Sequence, residues 1–257
     1  MYLEKFRLDG RKAVVTGGGR GIGLASAKAL AEAGAQVAIT DIDAELLQDA
    51  KTQIERLGYS VITSVLDVTR SADVSQIATD LTGQMGGVDI LVANAGIAWP
   101  DTASQDMADE VWLKVLDVNL NGSFWTCREF GRSMLEKNGG SIVTLGSMSG
   151  LISNKPQRQT QYNAAKAAVH HMTRSLAAEW AEYNIRVNSV APTYVNTVMS
   201  RDGFTDDTLF PVWMENTPMG RVAEVDEIAS TILFLASDAA SAVTGAVLPV
   251  DCGYTLW

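Results

Sequence analysis

Cysteine, histidine and proline are scarce in this chain: two, two and six among 257 residues. Cys127 and Cys252 stand far apart and show no metal-ligand spacing, so neither a disulfide framework nor a metal site is expected. The two thiols read as free, in a reducing compartment. Positive charge is also short. Twenty basic residues face 30 acidic ones for a net charge of −10, and the basic residues nowhere form a run of four. That argues against nucleic acid or an anionic membrane as partner. No uninterrupted apolar run reaches the ~18 residues of a membrane span. The opening MYLEKFRLDGRK has no apolar signal segment. Together these absences point to a soluble cytoplasmic protein whose partner is a small molecule.

What the chain does have is glycine, 22 residues of it, and a regular alternation of two patterns. Short apolar runs predict strands at Ala13–Thr16, Gln36–Thr40, Ser60–Leu66, Val88–Ala93, Ser141–Gly146, Arg186–Val190 and Ala246–Val250. Most are apolar throughout rather than alternating, as in strands covered on both faces. Helical spacing predicts helices over Ile22–Ala33, Ala44–Leu57, Ala72–Met85, Asp109–Glu136, Thr160–Tyr183 and Val225–Ala236. The expected fold is α/β, a doubly wound Rossmann fold with a seven-stranded parallel sheet and helices on both faces. One domain is expected to span residues 1–257, with the weakly periodic stretch 194–221 as a loop over the substrate site.

The glycines concentrate in VVTGGGRGIG, residues 14–23, between the first strand and the first helix. Each costs chain entropy, so the cluster needs a reason. Gly17, Gly21 and Gly23 permit a tight turn and let backbone N–H groups approach a pyrophosphate. The helix starting near Ile22 then aims its positive end at that phosphate. The second strand ends in Asp41, where a carboxylate can accept the adenine ribose hydroxyls and repel a 2′-phosphate. Arg20 pulls the other way, since a cation beside the loop could pair with that phosphate. The directed carboxylate decides for NAD.

Tyr162 and Lys166 stand at i and i+4 on one helix face. A phenol of pKa about 10 is a poor base at neutral pH, and an adjacent ammonium favours its phenolate. Ser147 and Ser149 follow the fifth strand, at the carboxyl end where α/β sites form.

TGGGRGIG (16–23), Asp67-Val68, NAGIA (94–98), VNLNG (118–122), GSMSG (146–150), YNAAK (162–166) and IRVNSVAPTYV (185–195) occur in one order. In that order the chain resembles the short-chain dehydrogenases/reductases, over nearly its whole length. The resemblance implies that Tyr162 is the general acid/base and that Lys166 lowers its pKa and holds the nicotinamide ribose. It implies that Asn119, at a helix irregularity, orders a water in a proton relay. Asp67 and Val68 would contact adenine, and Asn94, Ala95, Gly96, Pro192, Thr193, Val195 and Thr197 would line the cofactor. For the catalytic serine, the spacing to the tyrosine selects Ser149 and the spacing to the following glycine selects Ser147. An insertion belongs in the loop SNKPQRQTQ, so Ser147 is preferred. Thr193 replaces the family's usual glycine, and the backbone there must accept a β-branched residue.

Within the family the chain is most similar to bacterial polyol dehydrogenases, through GSMSG followed by Asn154, Pro156 and Gln157, AAEW (177–180), TPMGR (217–221) and the tail GYTLW. Ser149, Asn154, Gln157 and Arg158 could hydrogen-bond several hydroxyls, so polyol–ketose interconversion is the expected reaction. Reduction of an oxoacyl thioester or a cyclic ketone is the alternative enzyme reading, and a nucleotide-binding regulator the non-enzyme one. His170 and His171 read as packing or interface residues. Trp257 on an apolar tail, together with the resemblance, implies a homotetramer.

Overall fold

The computed structural model describes residues 1–257. Seven strands form one all-parallel sheet: β1 Lys12–Thr16, β2 Gln36–Asp41, β3 Val61–Val65, β4 Ile90–Ala93, β5 Gly140–Leu145, β6 Ile185–Pro192 and β7 Val247–Val250. Their spatial order is β3-β2-β1-β4-β5-β6-β7. The chain therefore winds outward from β1 in one direction and, after β3, returns to continue from β4 in the other. A cleft opens at that reversal, beyond the carboxyl ends of β1 and β4.

Adjacent residues of one strand feed opposite sides of the sheet. Val15 joins a core of 26 buried residues with Leu30 of α1 (Gly21–Glu32), Ile54 of α2 (Ala44–Arg56) and Ile232 of α9 (Val225–Ala236). Val14, its neighbour, joins a second core with Leu81 of α3 (Ser71–Met85), Phe130 of α5 (Gly122–Lys137) and Leu176 of α6 (Thr160–Trp180). Strands apolar on both faces are the direct consequence. Polar residues set the helix ends. Asp43 accepts the N–H groups of Glu45 and Leu46 at 2.9 and 3.2 Å, and Glu224 forms a reciprocal capping box with Glu227. No helix is long and apolar enough to cross a membrane.

The structure differs from expectation at Asp109–Glu136. The single helix is in fact α4 (Asp109–Leu116), a π turn (Asp117–Asn121) and α5. Periodicity continues through the turn, so the sequence pattern alone does not reveal it. The 194–221 stretch carries two short helices, α7 (Arg201–Phe204) and α8 (Phe210–Glu215).

The β1–α1 turn admits no side chain where it closes. Gly17 has φ +62°, and a Cβ at Gly23 would collide with the Gly17 carbonyl oxygen and the Asn94 amide. Gly23→Ala is expected to abolish dinucleotide binding, measured by quenching of tryptophan fluorescence, because α1 must back away from the turn. Wild-type affinity in the variant would contradict this account of the turn.

Candidate active site

The cleft has a volume of about 930 Å³ and is lined by every residue that the sequence assigned to cofactor, substrate or catalysis, from Gly17 to Thr197, except Arg158. Its first half lies at the β1–α1 turn. Asn94 ties this turn to β4: its Nδ2 donates to the carbonyls of Thr16 and Gly17, both at 2.9 Å. Thr16 Oγ1 in turn accepts the N–H groups of Asn94 and Ala95. Asp41, at the end of β2, accepts from the N–H of Gly19 at 3.1 Å and that of Asp43 at 3.3 Å, so its carboxylate is fixed beside the glycines. Arg20 is exposed at the rim. Asp67 accepts from both the N–H and the hydroxyl of Thr69, which shapes the wall at Val68.

Two observations test whether a dinucleotide fits. The side-chain-free surface of Gly17, Gly21 and Gly23 faces the N-terminus of α1, a ready anion site. At the far end, Thr193 Oγ1 is buried without a hydrogen-bond partner, as a group reserved for a polar ligand would be. The backbone accepts this threonine without strain, because the only non-glycine residues with positive φ are Asn138, Asn184 and Cys252. The residues present fit the cofactor.

In the other half, α6 lies across the end of β5. Burial pushes the Tyr162 hydroxyl above its ordinary pKa, and the nearby Ser147 hydroxyl pulls it part of the way back. The lowering expected from Lys166 is not among the causes. Its Nζ lies 5.6 Å from the Tyr162 ring centroid and donates to the Leu145 carbonyl at 2.7 Å. Burial depresses the Lys166 ammonium to about 8, which leaves it mostly charged at neutral pH. Asn119 sits in the π turn. Its amide bonds both the N–H and the C=O of Ile97 and the carbonyl of Val115. It thereby holds the segment carrying Gly96 against α4.

The two serines part company here. Ser147 Oγ faces Tyr162 and accepts the Ser149 N–H at 3.1 Å, whereas Ser149 Oγ accepts from Gln159 at 3.2 Å. Among the expected substrate residues, Gln157 spends both ends of its amide. Nε2 donates to Tyr194 Oη at 2.8 Å and Oε1 accepts from Trp213 Nε1 at 3.0 Å. One N–H and one lone pair of that amide remain for a hydroxyl ligand. Asn154 donates to the same Tyr194 oxygen, but its Oδ1 is buried and unpartnered. Arg158 pairs with Asp101 and is absent from the cleft wall. Sequence reasoning missed Tyr194 and Trp213 as a pair. Their rings stack at 3.7 Å and 9°, and both line the cleft. The available signal was an aromatic residue directly after Pro192-Thr193, with Phe204, Phe210 and Trp213 following.

The family model described as "Enoyl-(Acyl carrier protein) reductase" matches residues 17–255. The chain belongs to the short-chain dehydrogenase/reductase family. It is 52% identical to a galactitol 2-dehydrogenase of Rhizobium johnstonii, over 100% of this chain and 99% of that protein. It is 46% identical to a galactitol 2-dehydrogenase (L-tagatose-forming) of Cereibacter sphaeroides, again over 100% and 99%. Among solved structures, that of gox2181 superposes with a TM-score of 0.99 at 52% identity, covering both chains fully. The chain is accordingly an oxidoreductase that acts on CH–OH with NAD(P).

The geometry separates the serines experimentally. Ser147→Ala is expected to lower kcat by about 100-fold, the scale of a lost acid–base or oxyanion contact. Ser149→Ala should cost a small fraction of that. Steady-state kinetics of both variants decides it, and the reverse order would overturn the assignment.

Proposed function

We propose that this protein is an NAD-dependent dehydrogenase interconverting a pentitol or hexitol and the corresponding ketose. The observation that carries the reading is the meeting of Ser147, Tyr162 and buried Lys166 in one half of a cleft whose other half fits a dinucleotide. When bound, NAD supplies the acceptor for the hydride leaving the substrate carbon. The chain manages the oxygen and its proton. Tyr162 Oη takes the hydroxyl proton on oxidation and returns it on reduction. Ser147 Oγ holds the substrate oxygen and stabilises the charge that develops there. Lys166 holds the nicotinamide ribose, and Asn119 orders the water that passes the proton onward.

Asn154 Oδ1, buried and unpartnered, supports a hydroxylated substrate, since it offers an acceptor that only a donor can satisfy. The two galactitol 2-dehydrogenases support a hexitol. Asp41 supports NAD over NADP: a fixed carboxylate at the ribose accepts two hydroxyls and repels a phosphate. Reduction of an acyl-carrier-bound substrate would want a basic docking patch. With Arg158 neutralised by Asp101, the loop SNKPQRQTQ offers Lys155 alone. The reading takes the protein as one domain over residues 1–257 and as a cytoplasmic homotetramer. Leu256 and Trp257, 73% and 80% exposed, provide apolar surface for a neighbouring subunit to cover.

Four outcomes are expected. Tyr162→Phe removes the only transferable proton, so turnover should fall about 10²–10⁴-fold while NAD still binds. Retention of more than about a tenth of wild-type turnover would refute the role. Because burial holds the Tyr162 hydroxyl above pKa 10, its phenolate fraction grows throughout the neutral and alkaline range. Polyol oxidation should therefore rise steadily from pH 7 to about 10, while ketose reduction, which uses the protonated form, should not. A flat oxidation profile contradicts this. Asp41→Ser should weaken NAD and improve NADP together. A wild-type protein whose kcat/KM is higher with NADP would overturn the cofactor choice. In the same assays pentitols or hexitols should exceed 2-butanol, and Asn154→Ala should narrow that gap.

A further inference from the structure

We propose that His170 is a positioning residue for Ser147, fixing the serine backbone so that its hydroxyl faces Tyr162. The inference rests on the assignment of Ser147 as the serine that touches substrate. Helix α6 presents Tyr162, Lys166 and His170 at i, i+4 and i+8, one face of the helix. All three meet the segment that leaves β5. His170 is 4% exposed, and its Nε2 accepts the Ser147 N–H at 3.3 Å. That N–H lies just past the end of the strand; the last ladder-like bond there is from the Gly146 N–H to Val190. Without the imidazole the Ser147 N–H would be buried and unpaired.

The loop is cut to fit the ring. A Cβ on Gly146 would overlap His170 Nε2, and one on Gly150 would come within 2.7 Å of His170 Cε1. Gly146 is thus required by the ring, and Gly150 by the ring together with the α6 backbone at Lys166 and Ala167. An Nε2 that accepts fixes the ring proton on Nδ1 and requires a neutral ring. Burial, with Lys166 and Arg174 nearby, holds the imidazole near pKa 4, so the acceptor persists at any working pH. The Ser147 backbone is extended (φ −169°, ψ 154°), and its Oγ reaches back to the Ser149 N–H. His170 holds the backbone and the Ser149 N–H takes one lone pair of Oγ, so the hydroxyl is fixed in place on the side of the cleft where it acts on Tyr162.

The test is a double-mutant cycle on the full-length protein with NAD and galactitol as probes. His170→Phe keeps an aromatic ring and removes the acceptor. Its kcat should fall about tenfold with the KM for NAD unchanged, since misplacement of a reacting contact by part of an ångström costs on that order. His170→Gln restores an acceptor near the Nε2 position and should stay within about threefold of wild type. In a Ser147→Ala background, His170→Phe should cost less than about twofold more, because there is no hydroxyl left to misplace. Equal fold losses in both backgrounds, or no loss in either, would overturn the proposal. If His170→Phe does not fold, a folded His170→Gln that loses tenfold overturns it and one that keeps kcat supports it. Wild-type kcat in Ser147→Ala alone would instead sink the serine assignment on which the inference rests.

Discussion

Helix α6 is bonded to the end of β5 at three successive turns, and the reactive half of the cleft depends on that seam. Lys166 donates to Leu145, His170 accepts from Ser147, and Thr173 shares a 2.8 Å hydroxyl–hydroxyl bond with Thr144. Each such bond adds only about 0.5–1.5 kcal/mol net, whereas breaking one strands a buried group at a cost of about 1–3 kcal/mol. The seam therefore acts less by attraction than by penalising every other register. A helix slipped by one residue would carry Tyr162 away from Ser147 and leave the strand-end N–H and C=O groups unpaired. Position of the reactive groups is thus a consequence of satisfying ordinary backbone groups.

The sheet sets where this seam ends. Parallel pairing aligns all carboxyl ends on one edge, and the reversal between β1 and β4 parts the connecting segments there. The glycine turn lies on one side of the gap and the serine segment on the other. Asn94 ties the turn to β4, and Asn119 ties the segment after β4 to α4, so both line the cleft with amides spent largely on the protein itself. They fix the wall between the two halves, as transfer between a bound cofactor and a substrate requires.

Much of this was legible in the residues. Seven short runs marked the sheet, most of them apolar throughout, because burial on both faces removes the alternation that would mark a half-exposed strand. The glycines, Asp41, Tyr162 and Lys166 announced themselves by spacing, since turn geometry and helix periodicity are local. What stayed hidden was set by partners distant in sequence. The π turn, which the resemblance implied at Asn119, keeps helical periodicity, so the residue pattern by itself did not mark it. Nothing local to Gln157 shows that Tyr194, 37 positions away, and Trp213, 56 away, share its amide. His170 looks like core until Gly146 and Gly150 are seen wrapped around it.

Burial exacts its cost at this site in a consistent direction. It raises Tyr162 and depresses Lys166 and His170, favouring the neutral form of each. For Lys166 the folded value of about 8 lies below its unfolded value, so between about pH 8 and 10 the unfolded chain binds more protons than the folded one. Stability must then rise with pH across that window, and at neutral pH the charged lysine is a burden on the fold. Its 2.7 Å bond to the Leu145 carbonyl offsets part of that burden. The protein retains the charge at a cost to its stability because the ammonium serves the site, and the same seam that positions Tyr162 and Ser147 is what makes the buried cation tolerable.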